Sequence, residues 1–425
     1  MYNLKNNIKI IIKYLYNKGD WHMKKVTLEM IQQARETIKD IVKETPLLES
    51  VRMSDKTGAN VFLKCENLQK TGSFKIRGAC NKIANLTNEE KAKGVIASSA
   101  GNHAQGVALG AKMNGIKATI VMPATAPLAK VTATKGYGAE VVLEGLVYDD
   151  AYAKAIEIQK ETGATFLHPF DDEYVIAGQG TISLEILEQL ENVDTIVCPI
   201  GGGGIISGVA VAAKALKPSI KIVGVQTSNI PSMKASLESG EVTSAFNDVT
   251  IADGIAVKTP GDLTFNTIKD LIDEIIVVDE EEIAQAMLFL LESQKVTAEG
   301  AGAVSTAAVW SGKYQAKKGE NIVCIISGGN VDINTLYRVI DTGLVKCGRR
   351  YTFKTHIVDR PGGLGEVTRI LSDLNANILN SHMSKLNSTY GLGRQAVEMT
   401  IETFNEEHRE EIKEALTKAG FEIIN

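Results

Sequence analysis

The chain has 425 residues, a length that predicts two or three domains rather than one core. Hydrophobic residues make up 44% and charged residues 23%, which excludes a disordered chain and predicts a soluble globular protein. The formal net charge is −5 and the body of the chain holds no basic run, so nucleic-acid binding is disfavoured.

In residues 1–22, Lys5, Lys9, Lys13 and Lys18 punctuate a run rich in isoleucine and tyrosine. One reading is a basic amphipathic segment at a membrane surface. A signal peptide fits poorly, because lysine breaks the apolar run and no small-residue cleavage site follows. We expect instead a disordered extension, or an initiation site assigned too early with Met23 as the true start. No run is long enough to span a bilayer. The five cysteines (Cys65, Cys80, Cys198, Cys324, Cys347) are scattered without metal-site spacing, which fits reduced thiols and a cytoplasmic location.

Leu28, Ile31, Ala34, Ile38 and Ile41 recur at helical spacing and predict a first helix. Short apolar runs then alternate with helix-compatible stretches. Strands are predicted at Val95–Ala97, Ala118–Met122, Glu140–Leu143, Thr195–Cys198, Ile222–Val225, Ile275–Val278 and Ile322–Ile326. Continuous apolar strands separated by helices predict an α/β fold with parallel sheets covered on both faces. Such sheets bind ligands at the carboxyl ends of their strands. Near residue 345 the character changes. Thr352–Val358, Leu364–Leu374, Asn377–Lys385, Gln395–Glu402, Glu406–Ala419 and Phe421–Ile424 predict a ferredoxin-like βαββαβ unit. The expected organisation is an extension (1–22), a catalytic region (23–345) with a nested subdomain at about 80–168, and a small C-terminal domain (350–425).

Four stretches carry candidate chemistry. In Glu66–Ala79, Lys75 lies among small residues, with Gly72 before it and Gly78-Ala79 after it. Partial desolvation would leave more neutral amine, the nucleophilic form that attacks aldehydes. The bland alternative is a surface lysine opening a helix. Ser98–Gly106 follows a strand; its small residues let backbone amides approach an anion such as a carboxylate. Asn102 there either caps the helix or donates its amide to a phenolate oxygen, and His103 reads better as a satisfied histidine than as a base. Gly201-Gly202-Gly203-Gly204, between a strand and a helix, exposes consecutive N–H groups suited to phosphate. A dinucleotide site is excluded, because Ser207 takes the third glycine slot and Gln226 replaces the ribose-binding acid. Ser327, in Ser327-Gly328-Gly329-Asn330, is either a helix N-cap or a hydroxyl facing a ring nitrogen. A nucleophilic lysine, a phosphate cradle and ring partners together point to pyridoxal phosphate (PLP).

These four stretches, in this order, resemble the PLP-dependent threonine/serine dehydratases (threonine ammonia-lyases) of the tryptophan-synthase-β-like fold, over about Leu28–Leu344. The resemblance implies fold type II, a two-subdomain parallel-sheet catalytic region. It implies Lys75 as Schiff-base lysine and α-proton base, with Phe74 beside the cofactor. Asn102 would bond the ring hydroxyl, Gly201, Gly202, Gly203 and Gly204 the phosphate, and Ser327 would face the pyridine nitrogen. Ser99, Ala100, Gly101 and Asn102 would cradle the substrate carboxylate. The implied reaction is β-elimination of water from L-threonine, giving 2-oxobutanoate and ammonia; L-serine would give pyruvate. β-Replacement, as in cysteine synthase, and a non-catalytic amino-acid sensor are the competing readings.

Two departures sharpen this expectation. The related serine racemases carry a serine where this chain has Ala100, and that serine is their second proton-transfer group. Ala100 cannot transfer a proton, so little racemase activity is expected. The racemase-like divalent cation site would need carboxylates where Gln226 and Ser232 stand, so no metal is expected. The C-terminal unit, with Asp359-Arg360-Pro361-Gly362-Gly363-Leu364, resembles an ACT regulatory domain. That resemblance implies an amino-acid or nucleotide effector near Asp359, Gly362, Gly363 and Leu364, and a homodimer or homotetramer. A structural dimerisation module is the alternative.

Overall fold

The computed structural model describes residues 25–384 and 393–424. The extension expected at residues 1–22 lies outside them. The chain divides into two compact units. The first holds residues up to Ala286 and Leu290–Asn330, and the second holds Met287–Phe289 and residues from Val331 onward.

The first unit contains two sheets. The larger runs in the order β1-β2-β10-β7-β8-β9. Its strands are β1 (Leu47–Glu49), β2 (Asn60–Cys65), β7 (Thr195–Pro199), β8 (Lys221–Thr227), β9 (Glu274–Val278) and β10 (Asn321–Ile326). Only β1 is antiparallel, to β2; every other pairing is parallel. The smaller sheet is all parallel, in the order β5-β4-β3-β6. It contains β3 (Val95–Ser98), β4 (Ala118–Met122), β5 (Glu140–Leu143) and β6 (Thr165–Phe166). In β3, β7 and β10 the residues from Val95 to Ser98, Thr195 to Pro199 and Ile322 to Ile326 are all buried. This is why they read as unbroken apolar runs: helices cover both faces, so no face needs to alternate. Strand β2 was not foreseen, because Asn60–Cys65 mixes Lys64 into an otherwise apolar run.

The helices that matter for the site are α1 (Leu28–Ile38), α2 (Lys75–Ala84), α3 (Asn102–Met113), α4 (Leu128–Gly136), α5 (Glu173–Gln189), α6 (Gly204–Leu216) and α7 (Gly300–Trp310). Helix α1 opens with Thr27, whose hydroxyl accepts from the Met30 amide. Helices α2, α5 and α6 sit unusually close. A Cβ on Gly178 would come within 2.7 Å of Gly78 Cα, and one on Gly208 within 2.3 Å of the Ile176 carbonyl oxygen. Only glycine permits these approaches, and they press the helix that begins at Lys75 onto the centre of the unit.

Behind Lys75 lies a fully buried ionic cluster. The Arg77 guanidinium donates to both Glu66 oxygens at 2.8 Å and to Glu185 at 2.6 and 2.9 Å. The Lys64 ammonium donates to Glu185 at 2.6 Å and to the Thr45 carbonyl at 2.6 Å. Burial alone would raise the Glu66 carboxyl, but Arg77 overrides it and its pKa is lowered; burial lowers that of Lys64. Glu66 opens the loop that ends at Phe74, so the cluster ties that loop to α2 and α5.

In the second unit, α8 (Ile333–Lys346) starts at Asp332, whose carboxylate accepts from the Asn334 and Thr335 amides. An antiparallel sheet follows in the order β11-β13-β12, from β11 (Arg350–Val358), β12 (Asn377–Ser384) and β13 (Arg394–Glu402). Helices α9 (Gly363–Asp373) and α10 (Glu406–Lys418) complete it. Tyr351, Phe353 and Ile357 alternate inward along β11 and pack with Val367, Leu371 and Ile412. The final strand expected at Phe421–Ile424 reduces to one bridge, Ile424 with Lys354. Gly420 turns the chain at φ 88° and Phe421 buries its ring in the core.

Candidate active site

The carboxyl ends of both sheets of the first unit open into one cavity of about 670 Å³. Strand β2 leads to the lysine loop, β3 to Ser99–Asn102, β7 to the glycine run and β10 to Ser327. The cavity is lined by Phe74, Lys75, Ser99, Ala100, Gly101, Asn102, Gly201, Gly202, Gly203, Gly204 and Ser327. Every first-unit residue that the sequence reading placed at the cofactor or the substrate carboxylate therefore borders the same space.

Lys75 is the first residue of α2. Its entry is fixed by the Phe74 amide donating to the Ser327 carbonyl at 3.1 Å, and by a bridge between Ser73 and Gly328. Its ammonium donates to the Pro169 carbonyl at 2.9 Å and lies 5.2 Å from the Phe74 ring centre. Burial lowers its pKa to about 8, against a smaller opposing pull from Glu299. Roughly a tenth of the amine is thus neutral at pH 7, against less than about a thousandth for an ordinary lysine.

The glycine run forms the turn between β7 and α6. Gly203 adopts φ 98°, a left-handed conformation that suits glycine, and caps the helix. Among the described residues, no carbonyl or side chain accepts from the amides of Gly202, Gly203 and Gly204. A Cβ on Gly202 would fall 2.5 Å from the Phe170 ring. Free N–H groups at the start of a 13-residue helix form an anion site.

Asn102 is not a cap. Gly101 holds that position, and the Asn102 side chain instead donates to Glu299 Oε1 at 2.6 Å and accepts from Asn330 Nδ2 at 2.8 Å. Nor is Ser327 a helix cap, since the next helix begins at Ile333 with Asp332 as its cap. The Ser327 hydroxyl donates to the Ala301 carbonyl at 3.3 Å. His103 is buried, with Nε2 2.9 Å from the Leu167 carbonyl oxygen. Burial, reinforced by Lys75, lowers its pKa to about 3, so it stays neutral. His168 is held likewise: its Nδ1 accepts from the Asp171 amide at 2.8 Å, and burial lowers its pKa to about 4.

Sequence reasoning missed Glu299. Its side chain lines the cavity, and it is only 5% exposed. Burial, then the nearby Asp253, raises its pKa to about 7. Asp253 itself pairs with Lys130 of α4 at 2.8 Å. The signal was present: Glu299 is the one charged residue in Thr297–Ala303, a run of small residues that becomes a buried helix start. Gln226 and Ser232 are both buried and engaged with backbone, Gln226 accepting from the Lys234 amide and Ser232 donating to the Val257 carbonyl. Among the described residues no acidic, histidine or cysteine cluster could hold a metal ion. Asp359, Gly362, Gly363 and Leu364 lie in the β11–α9 turn of the second unit, and Gly362 adopts φ 88° as the cap of α9.

A buried lysine with a lowered pKa, a helix start with unengaged amides and two polar side chains around one cavity are the setting of a PLP enzyme of fold type II, and the residues present fit that cofactor. The family described as "Pyridoxal-phosphate dependent enzyme" matches residues 38–328, and the chain belongs to it. An L-threonine ammonia-lyase of Thermotoga maritima is 53% identical over 398 residues, covering 94% of this chain and 99% of that protein. The processed threonine deaminase isoform 2 of Solanum lycopersicum superposes with a TM-score of 0.72 at 39% identity, covering 76% of this chain and 91% of its own. Maize serine racemase gives 0.71 at 40% identity, covering 76% and 99%. Among the described residues no helix is long and apolar enough to cross a membrane.

Proposed function

We propose that the chain is a PLP-dependent threonine ammonia-lyase, eliminating water from L-threonine to yield 2-oxobutanoate and ammonia, with L-serine as a second substrate. The observation that carries this is the convergence of the Lys75 amine and the free amides of Gly202–Gly204 on one cavity, with Ala100 at the position where the racemases carry serine. PLP, when bound, supplies an aldehyde for a substrate amine and an electron-withdrawing ring that acidifies the α-carbon.

In this reading Lys75 holds the cofactor and then takes the α-proton. Its depressed pKa leaves the amine free to accept that proton near neutral pH. The glycine run binds the phosphate through its amides and the start of α6. Ser99, Ala100 and Gly101, at the start of α3, receive the substrate carboxylate. Asn102 would hold the ring oxygen and Ser327 would face the ring nitrogen, with Phe74 beside the ring. A neutral serine at that nitrogen does not keep the ring protonated, so electrons are better released by early departure of the β-hydroxyl than stored in the ring.

The likeness to a serine racemase raises a second reading. Racemisation needs a proton donor on each face of the α-carbon, and Ala100 has none. A keto-acid assay on L-threonine and L-serine, run beside a D-serine assay, separates the two. Keto acid from L-threonine with little D-serine is the expected result. D-serine without keto acid would overturn the proposal.

We also propose that residues 350–425 form an ACT-like regulatory domain whose Asp359–Leu364 turn binds a small amino acid or nucleotide. The βαββα order and the glycine-bearing turn after the first strand support this. The same assay with isoleucine, valine and AMP tests it. The homo-oligomer and the cytoplasmic location remain part of this proposal.

A further inference from the structure

Asn102 can face the cavity as donor or acceptor, and the surrounding network decides which. Asn330 Nδ2 uses both hydrogens, one on the Thr71 carbonyl at 2.7 Å and one on Asn102 Oδ1 at 2.8 Å. Asn102 Nδ2 gives one hydrogen to Glu299 Oε1 at 2.6 Å and keeps one. Turning the Asn102 amide over would set its NH2 against the NH2 of Asn330 and, whenever Glu299 is ionised, its oxygen against a carboxylate. Turning Asn330 over would set its oxygen against the Thr71 carbonyl.

The backbone holds this chain of amides in place. The Gly329 amide donates to the Gly72 carbonyl at 2.9 Å, and the Glu299 amide donates to the Gly328 carbonyl at 3.1 Å. A Cβ on Gly72 would fall 2.3 Å from Asn330 Oδ1, so the lysine loop and the Ser327–Asn330 loop are in direct contact.

We propose that Asn330 and Glu299 are positioning residues that lock the Asn102 carboxamide as a donor with one N–H to spare. That N–H suits an anionic acceptor oxygen, the ionised ring oxygen of PLP. The inference rests on the reading of the cavity as a PLP site.

The test is a double-mutant cycle on the full-length protein, with PLP affinity, the visible absorbance of the bound cofactor and apo-protein melting as readouts. Asn330→Asp presents an acceptor to Asn102 Oδ1 and favours the reversed amide. It should weaken PLP binding about tenfold, the size of one charge-assisted hydrogen bond, and shift the absorbance toward the neutral ring-oxygen form. Asn102→Ala should weaken binding at least as much, and the Asn102→Ala/Asn330→Ala double variant, which adds no charge, should be no worse than Asn102→Ala alone. If Asn330→Asp melts far below the wild type, Asn330→Ala removes the lock without adding charge and should weaken binding about threefold. Wild-type affinity and absorbance in the Asn330 variants, or effects that multiply in the double variant, would overturn the proposal. A wild-type protein that binds no PLP would refute the reading of the cavity instead.

Discussion

Lys75 is ordinary in type and unusual in setting. Among the described residues it has no carboxylate within hydrogen-bonding reach, and its acceptor is the Pro169 carbonyl. Burial thus wins over the pull of Glu299, and the amine titrates near 8. In the cofactor-free protein, acylation of Lys75 followed against pH should be half-maximal near pH 8, where exposed lysines remain charged. Glu299→Gln removes a negative charge that stabilises the ammonium, so the midpoint should fall further; a rise would contradict this account. The sign for stability follows. Below about 8 the amine is protonated in both states and the burial penalty is complete. As the pH rises from 8 toward the ordinary lysine value, the folded amine is already neutral and the penalty is relieved. Lys75→Ala should lose the yellow cofactor band and lower the rate of threonine deamination by on the order of 10²–10⁴-fold. The lysine could be singled out in the sequence because small residues surround it. Glu299 could not be weighed in the same way, because its importance comes from Asn102 and Asp253, far away along the chain.

At the scale of elements, the decisive features are turns and buried ties. The β7–α6 turn needs glycine at Gly203 for its backbone and at Gly202 for the Phe170 ring. Gly202→Ala should cost about 1–3 kcal/mol of local overpacking and weaken PLP binding about tenfold or more, with the apo fold retained by circular dichroism. The glycine run stood out in the sequence, since four glycines in a row between a strand and a helix cost chain entropy that needs a reason. The Arg77 cluster was not. Lys64, Glu66, Arg77 and Glu185 are spread over 121 residues between the extremes, and only tertiary packing buries them together. Arg77→Met should destabilise the protein by about 3–5 kcal/mol in guanidinium unfolding, because it leaves Glu66 and Glu185 short of their counter-charge. An unchanged midpoint would show the cluster to be dispensable.

At the scale of the whole molecule, the family match ends at residue 328 and the second unit takes up the chain from Val331, apart from Met287–Phe289. A chain ending at Lys346 should keep threonine deamination and lose any response to isoleucine, valine or AMP that the full-length enzyme shows. Steady-state rates on both forms check this, and a truncated enzyme that still responds would move the effector site to the first unit. The sequence by itself determined the α/β class, most of the buried strands, and the stretches around Lys75 and Gly201–Gly204 that border the cavity, because apolar periodicity, glycine spacing and strand-end position are local properties. Only the tertiary structure decided that Asn102 and Ser327 are not caps, that Glu299 borders the cavity, and which way the Asn102 amide faces. Those outcomes depend on hydrogen-bond partners more than two hundred residues apart in some cases, and on burial that sets charge states. Neither quantity exists until the two sheets close on one cavity.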